Sequence, residues 1–314
     1  MRRAYPLPHG PVAAAALAVA AVAFASASAF AEEPLPGANK LVDPRALGLA
    51  EALRAAPGSV SGVYLNPATI SMARVYHAGL MYQYTSRDEL HMGGAGIVDS
   101  VTSRYIAAGL AVNYTGGEQR RSDHSGWDVR LSLAGNVADT FFIGVTGRYV
   151  RVEHDLSSAA RGPNGVPALP RSGSQQLDGF TFDAGAGLRF ADVIRIGVVG
   201  YNLTDTGSVY APIQLAPAIS ATLFDMLLIE TDVVLDFTSH DDLNEEVRAG
   251  AELFIANVVP IRVGYVYDVF YAQHSIAAGV GYVDPRFGVD VGFQHELRTN
   301  GRMFLAFGLR IFLQ

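Results

Sequence analysis

Residues 303–313 read Met-Phe-Leu-Ala-Phe-Gly-Leu-Arg-Ile-Phe-Leu. Successive side chains of a β-strand point to opposite faces, so Met303, Leu305, Phe307, Leu309, Ile311 and Leu313 share one side while Ala306, Gly308 and Arg310 share the other. The same period of two recurs along the chain. In 141–149, Phe141, Ile143, Val145 and Tyr149 oppose Gly144, Thr146 and Arg148, with Gly147 on the apolar side. In 261–268, Ile261, Val263, Tyr265 and Tyr267 oppose Arg262, Gly264 and Asp268. In 227–237, Leu227, Ile229, Val233, Leu235 and Phe237 oppose Glu230, Asp232 and Asp236. Such runs are about nine to thirteen residues long, enough to cross a bilayer when tilted and longer than the usual strand of a globular sheet. The expected architecture is an all-β transmembrane antiparallel barrel with one face on lipid and the other on a polar lumen.

Composition agrees with that reading. Half the residues are hydrophobic, only 17% are charged, and there are 33 Gly, 14 Tyr and 16 Phe. This is a large apolar and aromatic share for a water-facing surface. The absence of Cys excludes disulfides, thiolate metal sites and a Cys nucleophile. Residues 1–31 read as a cleaved signal peptide: Arg2 and Arg3, an apolar run over 12–24, and the small-x-small triplet Ala29-Phe30-Ala31 ahead of Glu32. Its removal leaves 21 basic against 30 acidic side chains, a net charge of −9, which argues against a nucleic-acid partner. Beyond the leader no apolar stretch is long enough for a membrane helix.

Segmenting by alternation gives strands near 73–85, 89–99, 103–115, 125–136, 140–155, 177–190, 193–203, 213–224, 227–238, 245–255, 259–270, 274–283, 286–297 and 302–313. That is about fourteen, an even number as closed bacterial barrels require, and boundary error leaves twelve or sixteen open. The weakest is 213–224, where Pro217 removes a ladder donor. Connections after the odd strands include the long polar stretches 116–124, 156–176, 204–212 and 239–244, with 86–88, 271–273 and 298–301 as short exceptions. Those after the even strands are all short: 100–102, 137–139, 191–192, 225–226, 256–258 and 284–285. Long external loops and tight periplasmic turns alternate in this way in outer-membrane barrels.

Ahead of the first strand, Asp43-Pro44 is an N-cap and N1 pair, 45–56 is rich in Ala and Leu, and Pro57-Gly58 stops it, which predicts a short helix. Asn66-Pro67 then imposes an extended or turn conformation and marks a boundary, with strand one expected from about Ala73. The stretch RALGLAEALRAAPGSVSGVYLNPATIS over 45–71 resembles the N-terminal pattern of FadL-type outer-membrane transporters and the related PorV/PorQ-like group. The matching positions are Arg45, Ala46, Gly48 and Ala52, then Tyr64, Asn66, Pro67 and Ala68. Thr69 departs from the pattern, where Gly commonly follows.

The resemblance implies a plug or hatch over 32–72 inside a barrel over 73–314, with Arg45, Gly48, Tyr64, Asn66, Pro67 and Ala68 in the plug and gate. It implies one of two functions: passage of a small hydrophobic or amphipathic molecule across the outer membrane, or a scaffold for secretion or surface proteins. The partners expected are outer-membrane lipid and the barrel-insertion machinery, together with either the hydrophobic small molecule or the secretion proteins.

Face assignment places Arg130, Arg148, Asp183, Arg195, Glu230, Asp232, Asp236, Arg248, Glu252, Arg262, Asp268, Asp290 and Arg310 in the lumen, because charge on the lipid face costs a few kcal/mol at mid-bilayer. Both signs are present, which suits either a salt-bridge network between barrel and plug or a polar solute path. Catalysis would need groups brought together in hydrogen-bond geometry. The neighbouring pairs His124 with Asp123 and Ser125, His154 with Asp155, and His240 with Asp241 and Asp242 do not meet that requirement by adjacency alone. Asp241, Asp242, Glu245 and Glu246 could offer oxygen ligands to a divalent cation, although a solvated acidic loop is the preferred reading of them. No enzyme activity, catalytic residue, metal site or cofactor is expected.

Overall fold

The structure, a computed structural model, describes residues 42–56, 58–87, 89–119, 122–137, 139–154, 176–191, 193–208, 210–239, 242–298 and 301–313. The expected leader 1–31, the first part of the expected plug (32–41) and nearly all of the expected loop 156–176 lie outside these residues. Fourteen antiparallel strands follow one another around a closed barrel. They are β1 (Tyr76–Thr85), β2 (Leu90–Asp99), β3 (Ile106–Gln119), β4 (Ser122–Val137), β5 (Phe141–His154), β6 (Gln176–Phe190), β7 (Ile194–Tyr201), β8 (Gln214–Leu223), β9 (Leu227–Asp236), β10 (Asn244–Ile255), β11 (Val259–Asp268), β12 (Gln273–Val283), β13 (Phe287–Glu296) and β14 (Met303–Phe312). The seam closes between first and last strands, from His77 opposite Phe312 to Thr85 opposite Phe304. Every backbone edge is thereby paired, which is what a sheet needs in hydrocarbon. Among the described residues no helix is long and apolar enough to cross a membrane.

Alternation sets the two surfaces. Leu80, Leu131 and Val263 point outward and are more than half exposed (58%, 57% and 57%), whereas their strand neighbours Gly79, Arg130 and Arg262 are buried inside. An exterior so uniformly apolar fits lipid rather than water. Aromatic pairs lie toward one end of this outer face, including Tyr114 with Trp127, whose ring centroids are 4.9 Å apart, and Tyr149 with Phe180 at 5.0 Å.

The end that holds Tyr76 and Phe312 has tight turns. Residues Asp139, Ala191, Phe224, Asp225, Ala256 and Asn257 take left-handed backbone there, with φ between 49° and 58°. The expected turn 100–102 extends to 100–105. Asp99 takes the amides of Val101 and Thr102 at 2.9 Å, and Ser100 binds the Ala73 carbonyl at 2.6 Å, so the ladder resumes only at Ile106. At the opposite end, the expected loop 116–124 is instead a continuation of the β3–β4 hairpin, with Gln119 opposite Ser122. Polarity there marks where lipid ends, but backbone pairing continues into water. The strand containing Pro217 does form; its ladder with β9 passes from Leu215–Leu235 to Ala218–Asp232 without pairing Ala216 or Pro217, as a missing N–H dictates.

Residues 42–56 and 58–72 lie inside the ring. They form α1 (Pro44–Gly48), α2 (Val60–Leu65) and a 3-10 turn (Pro67–Ser71). α1 touches β11, β12, β13 and β14, α2 touches β1, β2, β3 and β4, and the 3-10 turn touches β3, β4, β5 and β6. The expected helix over 45–56 is corrected to five residues. Ala50 and Glu51 turn left-handed, at φ 55° and 61°, which ends the helix without a glycine. α2 was not expected from its Val, Ser and Gly residues, which are weak helix formers. Burial of Val60, Val63 and Tyr64 against the wall overrides that propensity.

Candidate functional site

The inner segment is seated by shape and by charge. Where it nears the wall, the barrel presents glycine: a methyl carbon placed on Gly144 would lie 2.5 Å from the Ala68 amide nitrogen, and one on Gly185 would lie 2.0 Å from Asn66 Oδ1. Asn66 is extended at φ −159° and ψ 107°, as the following Pro67 demands. Its side-chain amide donates to the Arg54 carbonyl at 2.8 Å, and its Oδ1 accepts from the Ala68 amide at 3.1 Å. Gly48 faces Gly279 on β12 in the same intimate way. Asp43 caps α1 through the Arg45 amide at 2.7 Å and accepts from the Ser61 hydroxyl, tying α1 to α2.

Three ionic clusters join this segment to the wall. In the first, Arg45 grips Glu252 with two bonds of 3.0 and 2.7 Å. Glu252 also accepts from Arg262 at 2.6 Å, Arg262 reaches Asp290 at 2.7 Å, and Asp290 accepts from Arg310 at 2.6 Å. The result is a continuous arc of alternating charge over β10, β11, β13 and β14. In the second, Arg54 donates to Asp232 at 2.8 Å and to the Tyr201 hydroxyl at 2.9 Å. Glu230 accepts the backbone amides of Ala55 and Ala56, and Arg248 pairs with Glu51 at 3.0 Å and with Glu246. In the third, Asp128 is shared by Arg130 at 2.9 Å and Arg148 at 2.7 Å. Asp183 lies 3.6 Å from Arg130, the Arg130 guanidinium stands 5.0 Å over the Tyr64 ring, and the Tyr64 hydroxyl donates to Asn113 at 2.7 Å.

The charges of the inner segment are compensated where they lie. Burial opposes ionisation of Arg54, but Tyr201 and Asp232 outweigh it and hold its pKa above the usual arginine value. Burial pushes the Tyr64 phenol up, with Arg130 pulling the other way. Buried pairs of this kind contribute little net stability compared with apolar packing, yet losing one partner costs several kcal/mol. They therefore fix position more than they add stability.

Each lumen position read from the sequence can now be placed. Arg130, Arg148, Asp183, Glu230, Asp232, Arg248, Glu252, Arg262, Asp290 and Arg310 belong to the clusters above. Asp236 sits at the wide-loop rim, accepting from the Thr238 and Ser239 amides. Asp268, also near that rim, accepts from the Tyr271 amide at 3.0 Å. Arg195 is set apart, donating to Thr222 at 2.8 Å near the tight-turn end. Sequence reading found Asp43 as the cap of α1 and missed Glu51, Arg54, Asp128 and Tyr201. Asp128 and Tyr201 carried a usable signal, since each shares the inward face of its strand with residues already assigned. The others sit where no strand period applies.

Alternation also separates the residues considered for catalysis or a cation. His124 is buried inside, with its ring 6.0 Å from Tyr210, while the adjacent Asp123 is exposed. Glu246 faces Arg248 in the interior, whereas Glu245 takes the opposite face. The His154 side chain, Asp155, His240 and Asp241 lie outside the described residues.

Between the inner segment and the wide-loop rim lies a cavity of about 290 Å³, lined by Leu47, Tyr64 and Leu65 from the segment and by Met92, Arg148, Tyr201, Val234, Arg248, Val266 and Phe304 from the wall, among others.

No protein-family model and no curated protein sequence matches the chain. Solved structures do share its fold. The CymD monoaromatic hydrocarbon channel superposes with a TM-score of 0.66 at 13% identity, covering 87% of this chain and 98% of its own. The Ralstonia pickettii toluene transporter TbuX gives 0.63 at 14% identity, covering 85% and 98%. A Pseudomonas aeruginosa FadL homologue gives 0.62 at 14% identity, covering 86% and 97%.

Proposed function

We propose that this chain is a FadL-like transport barrel of the bacterial outer membrane, exported by a cleaved signal peptide, that passes a small hydrophobic or amphipathic molecule inward. Residues 32–72 act as its plug, and Arg45, Gly48, Tyr64, Asn66, Pro67 and Ala68 hold the gate shut. The observation that carries this reading is the seating of residues 42–72 across the lumen, directly beneath a cavity at the wide-loop end. A lumen-filling segment with a small-molecule-sized cavity above it suits a gated path. The shared fold supports the reading, since the proteins with that fold include a toluene transporter and a monoaromatic hydrocarbon channel.

The polar lining argues against a greasy tunnel through the centre. The arginine and carboxylate clusters sit level with the segment, so a hydrophobic solute would bind above it and pass only when the segment shifts. Deleting residues 43–68 provides the test. The barrel should still assemble, and either its passive leak in liposomes should rise or its solute uptake should vanish. Unchanged permeability would remove the gate. Absence of any solute flux, together with protein partners crosslinked at the loops of intact cells, would replace transport with a scaffold role.

A further inference from the structure

The cavity carries more acid than base: among the described residues, six carboxylates and four guanidinium groups line it. The arginines are already engaged. Arg130 and Arg148 share Asp128, Arg248 pairs with Glu51 and Glu246, and Arg302 lies 3.4 Å from Glu296. The carboxylates are less evenly matched. Glu246 on β10 and Asp268 on β11 are direct register partners, and both line the cavity. Like charges directly opposite on one face destabilise a sheet. Arg248 bonds Glu246, while Asp268 receives the Tyr271 and Phe270 amides and feels Arg248 only from beyond the 4 Å of an ion pair.

A second observation lies two residues away on the same face. Asn244 is 7% exposed and lines the cavity, yet its Oδ1 has no hydrogen-bond partner. Its register partner Asp236 is saturated by the Thr238 and Ser239 amides, the Ser239 hydroxyl and the Gln214 side chain. Elsewhere on the wall, Gln294 Oε1 also lacks a partner. A buried acceptor without a donor loses its hydration and gains nothing in return. The acceptors are therefore set to meet a ligand that brings donors. Apolar surface stands beside them, since Val234 is the register partner of Glu246 and Val266 lies on β11 two residues before Asp268, on the same face. Acceptors set beside apolar surface suit an organic molecule that carries its own donors.

We propose that the cavity selects a compact amphipathic ligand carrying a hydrogen-bond-donating head, best an ammonium, seated on Asn244, Glu246 and Asp268 with its apolar body on Val234 and Val266, and that it disfavours anions of the same size. This rests on the transport reading and names the class of solute.

The probes are benzylamine, benzyl alcohol, toluene and benzoate, tested for binding to the purified full-length protein in detergent and for flux in liposomes. Benzylamine should bind tightest and benzoate weakest. Asp268→Asn should lower the ratio of benzylamine to benzyl alcohol affinity about tenfold, the scale of one charge-assisted hydrogen bond. Asn244→Leu, which keeps the side-chain volume close, should shift that ratio the same way and serves if the first variant does not fold. Benzoate binding as tightly as benzylamine, or an unchanged ratio in a folded variant, would overturn the proposal. Toluene flux without any preference for the amine would overturn it while leaving transport standing. No flux of any probe would overturn both.

Discussion

Glu252 accepts from Arg45 of the inner segment and from Arg262 of the wall, which makes one carboxylate responsible for two buried cations. Glu252→Gln takes the carboxylate from Arg45, while Arg262 keeps Asp290 at 2.7 Å, and should cost about 3–5 kcal/mol, the usual consequence of breaking a buried pair. The loss should appear as a lower unfolding temperature and as increased ion leak in planar bilayers. Because buried pairs are screened little by salt, the wild-type leak should hardly change between low and high salt, whereas surface pairing would be weakened. At this scale the sequence was half legible. The inward direction of Arg262 or Asp232 followed from alternation, but Arg54 and Asp232 stand 178 positions apart, and no local pattern relates them. Partners in a barrel come from across the lumen, where chain distance carries no information.

Strands were the most legible elements, because a lipid exterior and a polar interior enforce the period of two over the full membrane thickness. The β3–β4 hairpin shows where that signal ends: beyond lipid both faces are wet, the alternation loses its cause, and paired backbone reads as loop. The inner segment was the least legible. It is buried on every side, so neither helical nor strand periodicity is selected, and α1 and α2 take their form from the wall around them. Gly62 shows how closely these short elements fit. A β-carbon there would approach Thr69 Oγ1 to 2.6 Å and Ile70 Cγ2 to 2.7 Å. Gly62→Val should therefore pry α2 from the 3-10 turn, and at about 1–3 kcal/mol for overpacking the amides of Asn66 and Thr69 should exchange hydrogen faster while the strand amides keep their protection.

For the whole molecule, the decisive feature is that the charged surface faces in and the apolar surface faces out. This inversion yields an asymmetric expectation on β11. Val263→Arg places a cation on the outer face beside Arg262, which already points inward, and at the bilayer midplane should cost about 2–4 kcal/mol. Folding into liposomes should fall accordingly. A variant that folds into liposomes as well as the parent would mean that Val263 does not face the hydrocarbon.

The seam between β1 and β14 also sets an order in time. Residues 42–72 are made before any wall strand, yet Arg45 and Arg54 meet their hydrogen-bonded carboxylates on β10 and β9, and the cylinder shuts only when the last strand meets the first. The innermost piece is thus synthesised first and enclosed last. Until then its two arginines must stay hydrated, and whatever escorts the unfolded chain has to keep that segment on the concave side of a sheet that is still open.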